Sequence, residues 1–234
     1  YLTHLTNTVR ENKADFGVGW DGDADRIGIV DENGEVIYGD MLVLLYAREI
    51  LKEKPGCTII GDVKCSHRLF DYLTKHGANA IMSKTGHSLI KNKLKETGGE
   101  LAGELSGHMF FNHRFFGFDD AIYATARFVE LASNWEGPMS QMLGDLPKTF
   151  STPEIRLDCS EQNKFQIPVK IAKSFSKQYP VITVDGARVK FPKGWGLVRA
   201  SNTQSCLILR FEAEDPESLK DYQALMTEEI NKLL

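Results

Sequence analysis

The chain has 234 residues, 42% hydrophobic and 26% charged, a balance that supports a folded core and excludes a disordered, collagenous or fibrous protein. Asp and Glu outnumber Lys and Arg by 32 to 28, for a net charge of −4, so there is no basic footprint for a nucleic-acid backbone. No apolar run approaches the roughly 18 residues of a membrane span, and the length exceeds what most single domains need, so two domains, or one with a large appendage, are expected.

In chain order, Leu2, Leu5 and Val9 recur at helical spacing over residues 1–13, and residues 15–20 read as a short strand. A polar loop, Asp21 to Arg26, leads into a second strand at 26–31, and Asn33-Gly34 marks a hairpin turn into Val36-Ile37-Tyr38. Asp40 is expected to cap an apolar helix from Met41 to Lys52, closed by Pro55-Gly56. Strands at 58–63, 79–83 and 100–104 then alternate with helices at 66–76, 87–97 and about 119–133, which predicts βαβ units on a mainly parallel sheet. Residues 134–147 read as a linker with a short helix at 139–144. Beyond it come a strand at 152–158, a helix at 161–177, short strands at 181–185, 187–191 and 197–199, a strand at 205–212 and a helix at 216–233 opened by Asp215-Pro216. The predicted fold class is therefore a mixed, mainly parallel α/β domain followed by an α+β domain on an antiparallel sheet.

Asp21, Asp23 and Asp25 stand at alternate positions in a tight loop, where three side chains converge on one point and repel one another unless a cation neutralises them. A hard divalent ion, Mg²⁺ completed by water or a phosphate oxygen, suits them best. A solvated Asp-rich turn is the plain alternative. A calcium loop counted from Asp21 to Glu32 fails because Arg26 occupies the sixth position, where that loop needs Gly, and the flanks read as strands.

In open α/β sheets ligands bind beyond the carboxyl ends of the strands. Those ends carry Lys64, then Lys84-Thr85-Gly86-His87-Ser88, then Glu104-Leu105-Ser106-Gly107-His108. Singly, Lys64 reads as solvated, His87 as a helix-start residue and Glu104 as a cap. Together they suit a polyol or phosphosugar: Glu104 and Ser106 for hydroxyls, Lys64 for a phosphate or proton transfer, and His108 as acid or base. The aromatic run 110–118 is read as core and domain interface, with a stacking surface as the alternative. In the second domain Arg199 precedes Ser201-Asn202-Thr203 on a turn between strands, a bidentate fork beside short hydrogen-bonding side chains that fits a phosphate nest, with a polar hairpin turn as the alternative.

Taken together, DGDADR, KTGHSLIK, GELSGH and RASNT, in this order and at these intervals, resemble the α-D-phosphohexomutases, and among them the bacterial phosphomannomutase/phosphoglucomutase branch. The resemblance runs over essentially the whole chain. It implies an enzyme that moves phosphate between C1 and C6 of a hexose through a phosphoserine and a hexose 1,6-bisphosphate. On that likeness Asp21, Asp23 and Asp25 hold Mg²⁺ with Arg26 beside it, and Lys64 and His108 transfer protons. Gly86, His87, Glu104 and Ser106 contact the sugar, and Arg199, Ser201, Asn202 and Thr203 hold the non-reacting phosphate. The family usually has Gly where Ala24 stands.

The resemblance also implies a division: residues 1–35 as the end of a second domain with the metal loop, 36–147 as the sugar-binding third domain, and 148–234 as a TATA-binding-protein-like, phosphate-binding fourth domain. The family's phosphoserine sits in a T-A-S-H-N-P type loop of a first domain, and nothing like it occurs in these residues; Ser66-His67 is not followed by Asn-Pro. The chain also begins at Tyr1 within a helical pattern. The expectation is a C-terminal half that is inactive alone, whose partners are hexose phosphates and the missing N-terminal domains. A non-catalytic sugar-phosphate-binding module and a metal-dependent phosphatase are the competing readings. Scattered Cys57, Cys65, Cys159 and Cys206, with no Cys-x-x-Cys pair and no signal peptide, lead us to expect a cytoplasmic protein with neither zinc site nor disulfides, and a monomer is also expected.

Overall fold

A computed structural model describes residues 2–234. The first helix, α1 (Thr3–Asn12), ends where Lys13 turns left-handed at φ 51°. Strands β1 (Phe16–Trp20), β2 (Ile27–Asp31) and β3 (Val36–Ile37) follow as an antiparallel sheet in that order. The expected hairpin turn is present: Asp31 Oδ1 accepts from the N–H groups of Asn33 and Glu35, both at 2.9 Å, and Gly34 takes φ 76°.

The second sheet has the order β5-β4-β6-β7. Strand β4 (Thr58–Asp62) runs parallel to β5 (Asn79–Ser83) and β6 (Leu101–Gly103), while β7 (Met109–Phe111) returns antiparallel to β6. Side chains alternate across a sheet. Ile59, Leu101 and Phe111 therefore enter the large core with α2 (Gly39–Glu53), α3 (His67–Lys75) and α5 (Ala121–Ser133). Ile60, Ala102 and Phe110 enter a smaller core with Ile90 and Leu94 of α4 (His87–Thr97). The sheet is covered on both faces, as parallel strands require.

Several expectations need correction. Asp40 does not cap α2; the cap position is Tyr38, without a side-chain cap bond, and Asp40 lies inside the helix. β7 was not expected, because Phe110 and Phe111 read as part of one aromatic run. That run divides: these two are buried, Phe115 stacks on Tyr123 at 3.9 Å, and Phe116 is 83% exposed. The short helix at 139–144 is one 3₁₀ turn, Met139–Gln141.

Contact density divides the chain into two units, with the boundary between Leu146 and Pro147. The second unit is a six-stranded antiparallel sheet of β8 (Phe150–Ser151), β9 (Ile155–Asp158), β10 (Val181–Ile182), β11 (Ala187–Phe191), β12 (Gly194–Ala200) and β13 (Cys206–Ala213). The order is β10-β11-β12-β13-β8, with β9 also on β13. The strand expected at 152–158 begins only at Ile155, after Pro153, which cannot donate to a ladder, and β8 precedes it as an additional short strand. Helix α6 (Gln166–Phe175) is shorter than expected, and α7 (Pro216–Asn231) starts as read, with Asp215 Oδ1 accepting from Ser218 N–H at 2.7 Å. Ile167, Ile171 and Phe175 of α6 and Met226 and Ile230 of α7 pack with Val189, Val198, Leu207, Leu209 and Phe211 into this unit's own core. Among the described residues no helix is long and apolar enough to cross a membrane.

Candidate functional site

Pairing of Trp20 with Ile27 closes β1 and β2 around the six-residue acidic loop. Ala24 takes φ 58°, and this left-handed residue turns the chain so that carboxylate oxygens of Asp21, Asp23 and Asp25 all lie within 4.8 Å of one another. Arg26 N–H donates to Asp21 Oδ1 at 3.2 Å, and its Nε lies 3.5 Å from Asp21 Oδ2 and 3.7 Å from Asp25 Oδ1. Asp25 Oδ1 is buried with no hydrogen-bond partner. Burial pushes the Asp25 carboxyl up; His108 opposes that shift, Asp21 and Asp23 add to it, and Arg26 opposes it. Three converging carboxylates with an orphaned buried oxygen fit a hard divalent cation better than a solvated turn.

The loop is fastened to its neighbours. Ala121 N–H, at the start of α5, donates to Ala24 O at 3.0 Å, and Ile27 N–H donates to Gly107 O at 3.1 Å. Gly107 has φ 102°, and a Cβ there would collide with the Ile27 carbonyl, so only glycine permits this approach. Arg26 and His108 form a β-bridge, and Arg26 Nε donates to His108 Nε2 at 3.1 Å. An arginine only donates. His108 Nε2 is therefore the acceptor nitrogen, and a neutral ring carries its proton on Nδ1, 3.1 Å from Asp119 Oδ2 and 3.7 Å from Asp25 Oδ2. His108 itself is buried.

Three strand-end loops of the second sheet carry the other expected residues. Lys64, read singly as solvated, is buried at the end of β4. Gly86 caps α4 at φ 133°, a conformation that glycine alone adopts readily, and its N–H donates to Glu104 Oε1 at 2.5 Å. Glu104 is buried, and its second oxygen accepts from Ser106 Oγ at 3.2 Å. His87 opens α4; its half-exposed ring lies 5.8 Å from that of His108, and its Nδ1 lies 3.9 Å from Asp119 Oδ2. The six site residues expected in this unit outside the acidic triad and Arg26 are not scattered: Lys64, Gly86, His87, Glu104, Ser106 and His108 lie on the three loops that follow β4, β5 and β6.

In the second unit Arg199 is buried near the end of β12, and its Nε donates to Asp185 Oδ2 at 2.8 Å, while Nη2 is buried with no hydrogen-bond partner. Half of its fork is thus committed and half is open. Ser201 Oγ accepts from Thr203 N–H at 3.3 Å and Gln204 N–H at 3.1 Å, closing the turn between β12 and β13. Asn202 and Thr203 are exposed on that turn.

The profile described as phosphoglucomutase/phosphomannomutase, alpha/beta/alpha domain III, matches residues 38–150, and the one described as phosphoglucomutase/phosphomannomutase, C-terminal domain, matches residues 154–229. The chain belongs to the phosphoglucomutase/phosphomannomutase family. It is 45% identical over 233 residues to the phosphomannomutase/phosphoglucomutase of Pseudomonas syringae pv. tomato, covering 99% of this chain and 50% of that protein. It is 35% identical to the phosphomannomutase of Methanocaldococcus jannaschii, again over 50% of its length. Among solved structures, a phosphoglucomutase/phosphomannomutase family protein of Burkholderia thailandensis superposes at TM-score 0.88 with 38% identity, covering 99% of this chain and 50% of that one. The chain spans about half the length of the curated relatives it matches. The α/β and α+β architecture expected from the resemblance stands.

Three carboxylates of this candidate site went unread in the sequence. Asp119 and Asp120 looked like one helix start; Asp120 is the cap, accepting from Tyr123 N–H at 2.8 Å, which leaves Asp119 turned to His108. The doubled Asp before α5 was the available signal. Asp40, misread as a cap, accepts from Ser66 N–H at 2.8 Å across 26 residues of sequence. Asp62, the last residue of β4, is fully buried and had no local signal at all.

Proposed function

We propose that the chain carries the metal-, sugar- and distal-phosphate-binding residues of a phosphomannomutase/phosphoglucomutase, which interconverts hexose 1-phosphates and 6-phosphates. The observation that carries this reading is the bond from Arg26 to His108, which ties the acidic loop to the sugar-binding loops in one polar cluster. Asp21, Asp23 and Asp25 would hold Mg²⁺, which supplies positive charge to a phosphoryl group in transfer. An N-acetylphosphoglucosamine mutase of Aspergillus fumigatus, solved with GlcNAc-6P and magnesium, shares the fold at TM-score 0.68 and 16% identity.

In this reading Glu104 and Ser106 exchange their mutual hydrogen bond for sugar hydroxyls, at little net cost because each bond lost is replaced. His87, half exposed beside them, contacts the sugar from the α4 start, with the Gly86 backbone. His108 and Lys64 move protons at the reacting oxygens. Asp119 steadies the Nδ1 side of His108, so that Nε2 presents its lone pair once substrate draws Arg26 away. Arg199, with its open Nη2, and Ser201, Asn202 and Thr203 hold the non-reacting phosphate. The phosphoserine, cycling through a hexose 1,6-bisphosphate, belongs to the part of the family enzymes that these residues do not match. Residues 1–35, 36–147 and 148–234 would correspond to the end of the second domain, the third and the fourth. Four free cysteines support a cytoplasmic location.

The test is a mutase assay on these 234 residues with glucose 1-phosphate, glucose 1,6-bisphosphate and Mg²⁺. No turnover is expected. Measurable turnover would contradict the assignment of the phosphoryl donor elsewhere, and phosphate release from mannose 6-phosphate would favour a phosphatase instead.

A further inference from the structure

We propose that Asp62 is the positioning residue that holds the three sugar-binding loops of the first unit in mutual register; the proposal rests on the reading of those loops given above. Strand β4 lies between β5 and β6 in the sheet, so its last residue is flanked by the ends of both neighbours. Asp62 is that residue, and it is fully buried. Burying a carboxylate costs several kcal/mol unless hydrogen bonds replace its water, and here three donors do so, one from each loop. Cys65 Sγ donates to Oδ1 at 3.0 Å, Leu105 N–H reaches the same oxygen at 3.4 Å, and Thr85 Oγ1 donates to Oδ2 at 2.9 Å.

The donors are the chain neighbours of the site residues. Cys65 follows Lys64, Thr85 precedes Gly86, and Leu105 sits between Glu104 and Ser106. One carboxylate thus fixes the backbone beside the cation, the glycine cap and the glutamate that are read as meeting the sugar. Gly86 N–H to Glu104 Oε1 is another tie between these loops, and that acceptor is the group sugar hydroxyls are expected to recruit. When Glu104 turns to substrate, Asp62 keeps the loops together. A carboxylate offers acceptor sites on both oxygens, enough for three donors; an amide of the same shape has one acceptor oxygen and cannot satisfy all three.

The experiment compares wild type with Asp62→Asn, Thr85→Val and Thr85→Ser by amide hydrogen exchange without ligand, and by calorimetric titration with glucose 6-phosphate. Thr85→Val removes one donor at constant shape, so the test survives if Asp62→Asn fails to fold, and Thr85→Ser restores the hydroxyl. In Thr85→Val, exchange is expected to quicken about tenfold at Gly107, in the loop that follows β6, while Ile59 and Ile60 in β4 keep their protection. Glucose 6-phosphate affinity falls about tenfold with it, and Thr85→Ser restores both. Faster exchange confined to residues 84–87, or unchanged affinity in Thr85→Val against a binding wild type, overturns the proposal. A wild type that does not bind glucose 6-phosphate overturns the functional reading, and the exchange comparison still decides whether Asp62 couples the loops.

Discussion

Ala24 is the residue at which sequence and geometry disagree most visibly. Its φ of 58° costs an L-residue roughly 1–2 kcal/mol, and glycine would return part of that gain through its larger unfolded-state entropy. Ala24→Gly is therefore expected to stabilise the first unit by about 0.5–1 kcal/mol, read as a rise in Tm of about 2 °C. An unchanged or lower Tm would show that the loop is held by its bonds and not strained by its turn. Beside Ala24, Asp25 is pushed above its ordinary value of 3.8, chiefly by burial. A cation must then compete with a proton at higher pH than at an ordinary aspartate. Mg²⁺ affinity is expected to begin weakening above pH 3.8 as the solution is acidified, and Asp25→Asn to weaken it about tenfold or more at neutral pH; calorimetry reads both. Equal affinity in Asp25→Asn would remove Asp25 from the ligand set.

At the scale of elements, what could be read depended on how local its cause is. Helix α4 was legible to the residue, 87–97, because Gly86 and Gly98 both take left-handed φ at its two ends. The strands 58–62 and 79–83 were legible from apolar runs between turn signals. β7 was not, because its three residues are strand only by virtue of pairing with β6, and Asp40 was misread because its true partner, Ser66, is distant in sequence. The candidate loops were legible as polar residues at strand ends, whereas Asp62 and Asp119 acquire meaning only when the loops are brought together. Another distant tie is testable by pH. Glu32, at the β2–β3 turn, accepts from Ser140 Oγ at 2.5 Å and Ser140 N–H at 3.1 Å. Burial alone would raise its carboxyl, but these bonds hold it below the ordinary 4.5. A depressed carboxyl contributes stability that is present above its unfolded-state value and lost as pH falls through its folded one. Between pH 7 and pH 3 the wild type should therefore lose more Tm than Glu32→Gln, with the excess appearing below pH 4.5. Parallel Tm curves would contradict the role of this contact.

For the molecule as a whole, each unit has its own core and its own expected share of the chemistry: metal and sugar groups in the first, phosphate groups in the second. The acidic loop lies outside both family profiles, yet the Pseudomonas syringae relative aligns across it and its backbone is bonded to Gly107 and Ala121 of the first unit. Composition alone described an ordinary globular protein; the ordered motifs supplied the family, and the fold shows how residues 21–26 and 104–108 come to share hydrogen bonds. The central claim is that these loops form a hexose-phosphate site without a phosphoryl donor of their own. Calorimetric titration of the chain with glucose 1,6-bisphosphate and Mg²⁺ tests it most directly. Saturable binding, weakened about tenfold or more by Glu104→Gln, is the predicted result; no binding, or binding indifferent to Glu104→Gln, would contradict it.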